Sequence, residues 1–520
     1  MRITYNDKLN KLLNPYLESL LKEKSSLEPE TLTLFDLFME DLDMGGRYGI
    51  FSEILEPRLE EIIREENIES IANLMDGRLN TLFRYMLGDE FAGLFHTYLQ
   101  LEARCPHTIG YDRRAQRSAN PSNHLDHARD AWLQFLKLRA TGFSVEAILK
   151  GGNTPEDTEE FSGYMNSSYW LAAQIAQGNE KVIEYLNQVL TSENNVHRLQ
   201  RWYLHAISIS GYRPLLELEG KLLLAAKLQE GLRQAIVETM DEGCPESYLY
   251  LFSIIYNNGL QRFASVKRSI AVCTGIGEQD SSERITNKYV ELIWNFLNHP
   301  ETARNALQSK DTVELYLALW SIGFYDTDEI RAIVPDIIRK GAKHQIQTLL
   351  YFLRCTQSSQ MNHLISKDAF EVWHDDPKVV AAILPLYMDG LYLSRYSDNK
   401  EAPTLSDYFE TPEEAVRHYG YLKQVYQSIS AKEIYSPYVF PWDCVVLTRS
   451  DVVLKMAYIA WMTNDIRLRE ELCTYLPALE SYNRASYIGI VLPRTESKVE
   501  QEYVLQSLGD RSSDIRDEAY

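Results

Sequence analysis

Wherever this chain carries apolar residues, it carries them at the spacing of a helix, and that periodicity points to an all-α fold. In "LLLAAKLQEGLRQAIVETMDEG", from Leu222, the residues Leu228, Leu232, Ala235, Ile236, Thr239 and Met240 fall on one face of a 3.6-residue helix. Gln229, Glu230, Arg233, Gln234 and Glu238 fill the opposite face, so Leu232 and Ile236 are expected in the core. Gly231, unfavourable within a helix, suggests a close helix–helix approach. Gly243 is expected to supply a left-handed stop, and Pro245 to open the next helix, which ends at Gly259. Strand signals are poor. The best of them, "VFPWDCVVL" from Val439, has an internal proline and no strand-like neighbour, and reads as a turn leading into a buried helix.

Short helices in series raise the question of repeats. A glycine is followed six or seven residues later by a β-branched residue, with arginine close behind. Gly259 leads to Val266 and Arg268, Gly323 to Ile330 and Arg331, and Gly509 to Ile515 and Arg516. In the last copy Leu505, Leu508, Gly509, Asp510, Ile515, Arg516 and Ala519 resemble the turn and second helix of a HEAT repeat. That resemblance implies a structural pair of Asp510 with Arg516 between neighbouring repeats. The expected architecture is an α-solenoid of HEAT-like antiparallel helical hairpins.

A more particular likeness lies in "KLLLAAKLQEGLRQAIVETMDEG", "LQRFASVKRSIAVCTGIG" and "VELYLALWSIGFYD". These stretches resemble the helical region near the start of very large bacterial proteins of an uncharacterised family, whose relatives include a molybdate metabolism regulator. The resemblance is strongest from Ser167 to Gly341. It implies a helical repeat fold in a bacterial cytosol and no particular reaction. Members of that family continue well beyond the equivalent of residue 520. The closing "LGDRSSDIRDEAY" reads as a helix start, with Asp510 and Ser512 as caps and support expected from Val504, Leu505 and Leu508. The chain is therefore expected to be the N-terminal part of a longer polypeptide, cut inside a hairpin.

Acids outnumber bases by 74 to 53, a formal net charge of −21, which repels phosphate backbones and argues against direct nucleic-acid binding. The N-terminal residues lack the apolar core of a signal peptide, and the longest apolar runs are too short to span a bilayer. A cytoplasmic protein with no membrane association is expected. The cysteines Cys105, Cys244, Cys273, Cys355, Cys444 and Cys473 are scattered without paired spacing, as reduced and mostly buried thiols would be.

Punctuation at "KGGNTPEDTEE" divides the sequence into an N-terminal helical region, 1–150, and a HEAT-like repeat region, 151–520. A second polar stretch, from Ser394, ends in the helix start Thr411-Pro412-Glu413-Glu414. Candidate chemistry centres on Arg104 to Asp130. His124 and His127 can present two metal ligands on one helical face, although a polar loop capped by Ser122 or Asn123 explains them as well. Arg113, Arg114 and Arg117, local exceptions in an acidic chain, can hold an anion or an acidic partner. The glycines of "MGGRYGIF" and "CTGIGEQD" lack the rest of a phosphate loop, no catalytic signature is present, and no cofactor is expected. The function expected is a non-catalytic scaffold for a protein partner. The alternative is a regulatory or enzymatic subunit whose active region lies beyond residue 520, with a ligand or metal site within 104–130.

Overall fold

The computed structural model describes residues 7–43, 55–68, 71–105, 132, 135, 136, 139, 167–191, 199, 201–225, 230–241, 243–276, 286–325, 327–356, 359–389, 391, 393, 402–493 and 495–520. The chain divides into two compact units, Met1–Asn298 and His299–Tyr520. The division falls between Asn298 and His299, while the surroundings of Lys150 lie outside the described residues. Both units are built mostly of helices, and among the described residues the fold is all-α apart from one short hairpin.

In the first unit, α1 (Asp7–Glu23), α2 (Pro29–Asp43), α3 (Glu56–Glu65), α4 (Arg78–Leu87) and α5 (Asp89–Arg104) come first. After them stand α6 (Ser167–Ala176), α7 (Glu180–Thr191), α8 (Arg201–Ser210) and α9 (Arg213–Leu224). The unit closes with α10 (Glu230–Asp241), α11 (Pro245–Asn257), α12 (Ala264–Thr274) and α13 (Asn287–Asn298). From α6 onward each helix packs on the second one along. The helices α6, α8, α10 and α12 form one row, and α7, α9, α11 and α13 form the other. A helix inside such a row meets neighbours on several sides, and α8 accordingly buries every residue from Tyr203 to Ser210.

Local chemistry explains several boundaries. Pro245 opens α11 behind an extended Cys244, and Gly259, at φ 62°, ends it in the left-handed conformation that glycine adopts without strain. Gly243 differs from expectation. Its φ is not left-handed, and its role is close approach, since a Cβ there would lie 2.7 Å from Cβ of Ser208. Gly231 has open space around it, so the expected helix contact is not made there. The close contact belongs to Gly220 on α9, where a Cβ would strike Ile254 of α11. Ile236 is fully buried, whereas Leu232 is only half-buried. Leu228 lies outside the described residues.

The second unit begins with α14 (Pro300–Ala306), α15 (Thr312–Tyr325), α16 (Thr327–Lys340), α17 (Lys343–Thr356), α18 (Ser359–Trp373) and α19 (Pro377–Ile383). Next come α20 (Pro412–Ser428), the strands β1 (Lys432–Tyr435) and β2 (Val445–Thr448), and α21 (Arg449–Thr463). The last helices are α22 (Ile466–Leu472), α23 (Ser481–Val491), α24 (Lys498–Ser507) and α25 (Ser513–Ala519). Alternate helices again pack together, α15 on α17, α17 on α19, α16 on α18 and α23 on α25. Ion pairs follow the same rule. Arg304 of α14 holds Glu329 of α16 at 2.6 Å, and Arg469 of α22 grips Glu500 of α24 through two bonds of 2.7 and 2.8 Å.

The stretch from Val439 departs from the expected turn and helix. Its end forms β2, antiparallel to β1 with Ile434 opposite Val446, and only then does α21 begin, on a capping box of Thr448 and Asp451. At the C-terminal end, α25 leans on α23 with Ile515 buried. Leu505 and Leu508, expected to support it, are 68% and 40% exposed. Val266, Ile330 and Ile515, the β-branched residues of the weak repeat, are all buried.

Candidate functional site

A dense polar cluster among the described side chains is in the second unit, where one face of α18 meets one face of α20. On α18, His363, Lys367 and Glu371 follow at intervals of four, which stacks them on a single helical face. On α20, Glu414, Arg417, His418 and Tyr421 do the same at three, one and three. The start of α20 is the one expected: the Thr411 hydroxyl accepts from the Glu414 N–H at 3.1 Å, and Pro412 occupies the first turn.

His418, with no exposed surface, is the centre of the cluster. Its Nε2 lies 2.8 Å from Oε1 of Glu371 and its Nδ1 lies 2.8 Å from the Tyr387 hydroxyl. Burial works against ionising Glu371, but the hydrogen bonds from Arg417 and the neighbouring His418 hold its carboxyl below the usual range. An ionised carboxylate only accepts, so Nε2 of His418 carries the proton and Nδ1 accepts the hydroxyl hydrogen of Tyr387. Burial lowers the pKa of His418 against the pull of Glu371, so the ring is neutral. Arg417 donates to Glu371 at 2.6 and 3.1 Å, and Tyr421 donates to its other oxygen at 3.2 Å.

Beside this relay lies a buried ion pair. Lys367 reaches Glu414 at 3.1 Å, with the two side chains 9% and 14% exposed. Glu414 also accepts from the Glu410 N–H at 2.7 Å. On the same face of α18, His363 accepts the Met388 N–H at Nδ1, 2.9 Å away, so its Nε2–H donates to the Tyr408 carbonyl at 3.0 Å. Burial pushes the His363 pKa down to about 4.

The ligand atoms of Glu371, Glu414 and His418 lie within 4.8 Å of one another, close enough for a metal. The donor set does not fit one. Arg417 and Lys367 already neutralise the two carboxylates, and Nε2 of His418 is protonated toward Glu371. The arrangement joins α18, α20 and the chain after α19 through polar contacts that are satisfied within the protein.

The residues singled out in the sequence are placed differently. Arg113, Arg114, Arg117, His124 and His127 lie outside the described residues. Arg104 ends α5 and pairs with Glu246 of α11 at 3.1 Å, an internal bond rather than a partner contact. Cys105, Cys244, Cys273 and Cys473 are free and buried, and Cys444 is free and exposed. The carboxylate of Asp510 takes Arg484 of α23 at 2.7 Å, while Arg516 donates to the backbone carbonyls of Asp510 and Arg511 at 2.8 and 3.0 Å. Asp510 and Arg516 thus meet through the Asp510 backbone carbonyl, and the Asp510 carboxylate is held by Arg484 of α23 instead. The cluster around His418 was not anticipated, because polar side chains four apart on a helix read as a solvated face.

A family model covers residues 34–520 of this sequence, across both units. The chain belongs to the DUF5724 family. DUF5724 is described as a family of unknown function, and it supplies no activity to set against the geometry. No curated protein and no solved structure matches the chain. No helix among the described residues is long and apolar enough to cross a membrane.

Proposed function

We propose that this DUF5724 protein is an α-solenoid scaffold whose stacked helical hairpins present a continuous surface to a protein partner. The observation that carries the reading is the pair of alternating rows, α6, α8, α10, α12 and α7, α9, α11, α13. In stacked-hairpin proteins each repeat touches only its neighbours, and the exposed edges of successive helices form one extended binding surface. Ion pairs that link alternate helices in the second unit, Arg304 with Glu329 and Arg469 with Glu500, support the same reading. The HEAT-like character and the setting in a bacterial cytosol rest on the sequence resemblance. A formal charge of −21 favours a partner with a basic surface and disfavours nucleic acid.

Photo-crosslinkers placed on exposed positions of successive helices test this. A scaffold yields crosslinks to one partner from several consecutive hairpins, and its capture weakens as salt is raised. Crosslinks confined to a single loop, or capture indifferent to salt, would remove the basis for the proposal.

A further inference from the structure

From Ser247 to Gly277 the sequence holds no aspartate or glutamate, although acids make up 74 of the 520 residues. The only charged residues in that stretch are Arg262, Lys267 and Arg268, and the structure gathers them at one end of α12. Arg262 closes the turn Leu260–Arg262 just before the helix, and Lys267 and Arg268 lie in its first two turns. Lys267 follows Phe263 by four residues, its N–H bonded to the Phe263 carbonyl at 3.1 Å, so the two share a face. The neighbouring helix α10 brings a fourth cation. Arg233, 5% exposed, holds its guanidinium carbon 4.0 Å from the centroid of the Phe263 ring, and that of Arg262 lies over the same ring at 5.0 Å. Among the described residues, the side chains of Arg262, Lys267 and Arg268 make no hydrogen bond or ion pair. Glu238, an acid farther along α10, is already held by Arg201 at 2.9 Å and Gln234 at 2.6 Å. Cations this close repel one another, and an anion set among them turns that repulsion into attraction.

We propose that Arg233, Arg262, Lys267 and Arg268 form a binding site for a phosphate group. A phosphate dianion carries two charges and several acceptor oxygens, more than one carboxylate offers, and so suits several cations held on two helices. A guanidinium resting on an aromatic ring keeps its N–H edge free for paired bonds to such oxygens. Arg262, exposed, and Lys267 and Arg268, half-buried, are open to a ligand, while Arg233 backs the site from within. The ligand is compact, because a net charge of −21 repels a long polyanion from the chain as a whole. Free phosphate and a phosphate monoester share this chemistry.

The test is equilibrium dialysis of the full chain against radiolabelled inorganic phosphate near neutral pH, with ionic strength held constant by sodium chloride. Saturable binding is expected. Arg262→Gln combined with Arg268→Gln should weaken it at least about tenfold, since charge-assisted bonds to the anion are lost. Arg339→Gln, at an exposed position on α16, should leave it unchanged. If the double variant folds poorly, Lys267→Gln alone, expected to weaken binding several-fold, decides. Methyl phosphate competing at lower concentration than unlabelled phosphate would assign the site to a monoester, and competing only at equal or higher concentration would assign it to free phosphate. No saturable binding, or equal binding by wild type and the double variant, would overturn the proposal.

Discussion

Glu219 on α9 has no exposed surface, and neither of its carboxyl oxygens has a hydrogen-bond partner. Burial alone raises its pKa well above the ordinary glutamate value and so favours the protonated form. In the unfolded chain it ionises above about pH 4.3, so the folded first unit loses stability as pH rises past that point. Glu219→Met, of similar volume, should stabilise by roughly 1–3 kcal/mol at pH 7 and by less at pH 4.5, read from thermal melting at the two pH values. A lower melting temperature at pH 7 would mean that the carboxyl is ionised and held by a partner. In the second unit His363 works in the opposite direction. Its folded pKa of about 4 lies below the unfolded value of roughly 6.5, so its contribution is complete above pH 6.5 and is lost as pH falls toward 4. The window corresponds to at most about 3 kcal/mol. His363→Asn, which keeps an acceptor for the Met388 N–H, should flatten the acid limb of a stability–pH curve. An unchanged limb would show that other groups set it.

At the scale of elements, the bond between α22 and α24 is the sharpest case. Glu500 has no exposed surface, and only Arg469, with Thr495, satisfies its carboxylate. Arg469→Ala should cost about 3–5 kcal/mol, because it leaves a buried charge unpaired, and adding Glu500→Gln should recover much of that loss in urea unfolding. A cost below about 1 kcal/mol would mean that water reaches the carboxylate. Element boundaries were legible where local chemistry decides them. The Thr411-Pro412 start of α20, the Pro245 start of α11 and the Gly259 stop are legible in the sequence, because caps and left-handed turns depend on residues within one turn. What escaped was set by distant partners. The polar face of α18 looked solvated until α20 covered it, and nothing near Asp510 in sequence pointed to Arg484. The strand β2 was missed because its partner β1 carries exposed and half-buried residues in alternation and no apolar run.

Over the whole molecule, two compact units share one packing habit, in which a helix rests on the second helix along. In the proposed solenoid, stability would be close to a sum of repeat and neighbour terms, and damage to one hairpin would spread only to the hairpins beside it. A compact bundle shares a single core and loses protection everywhere at once. Ile236 is fully buried on α10, in the middle of its row, and truncating it to alanine should remove about 2–4 kcal/mol. The decisive measurement is amide exchange along the intact Ile236→Ala chain, compared with wild type. A stack of hairpins should show faster exchange in α8, α10 and α12, with little change in α6 and none in His299–Tyr520. Uniformly faster exchange from α1 to α13 would mean a single cooperative core and no solenoid.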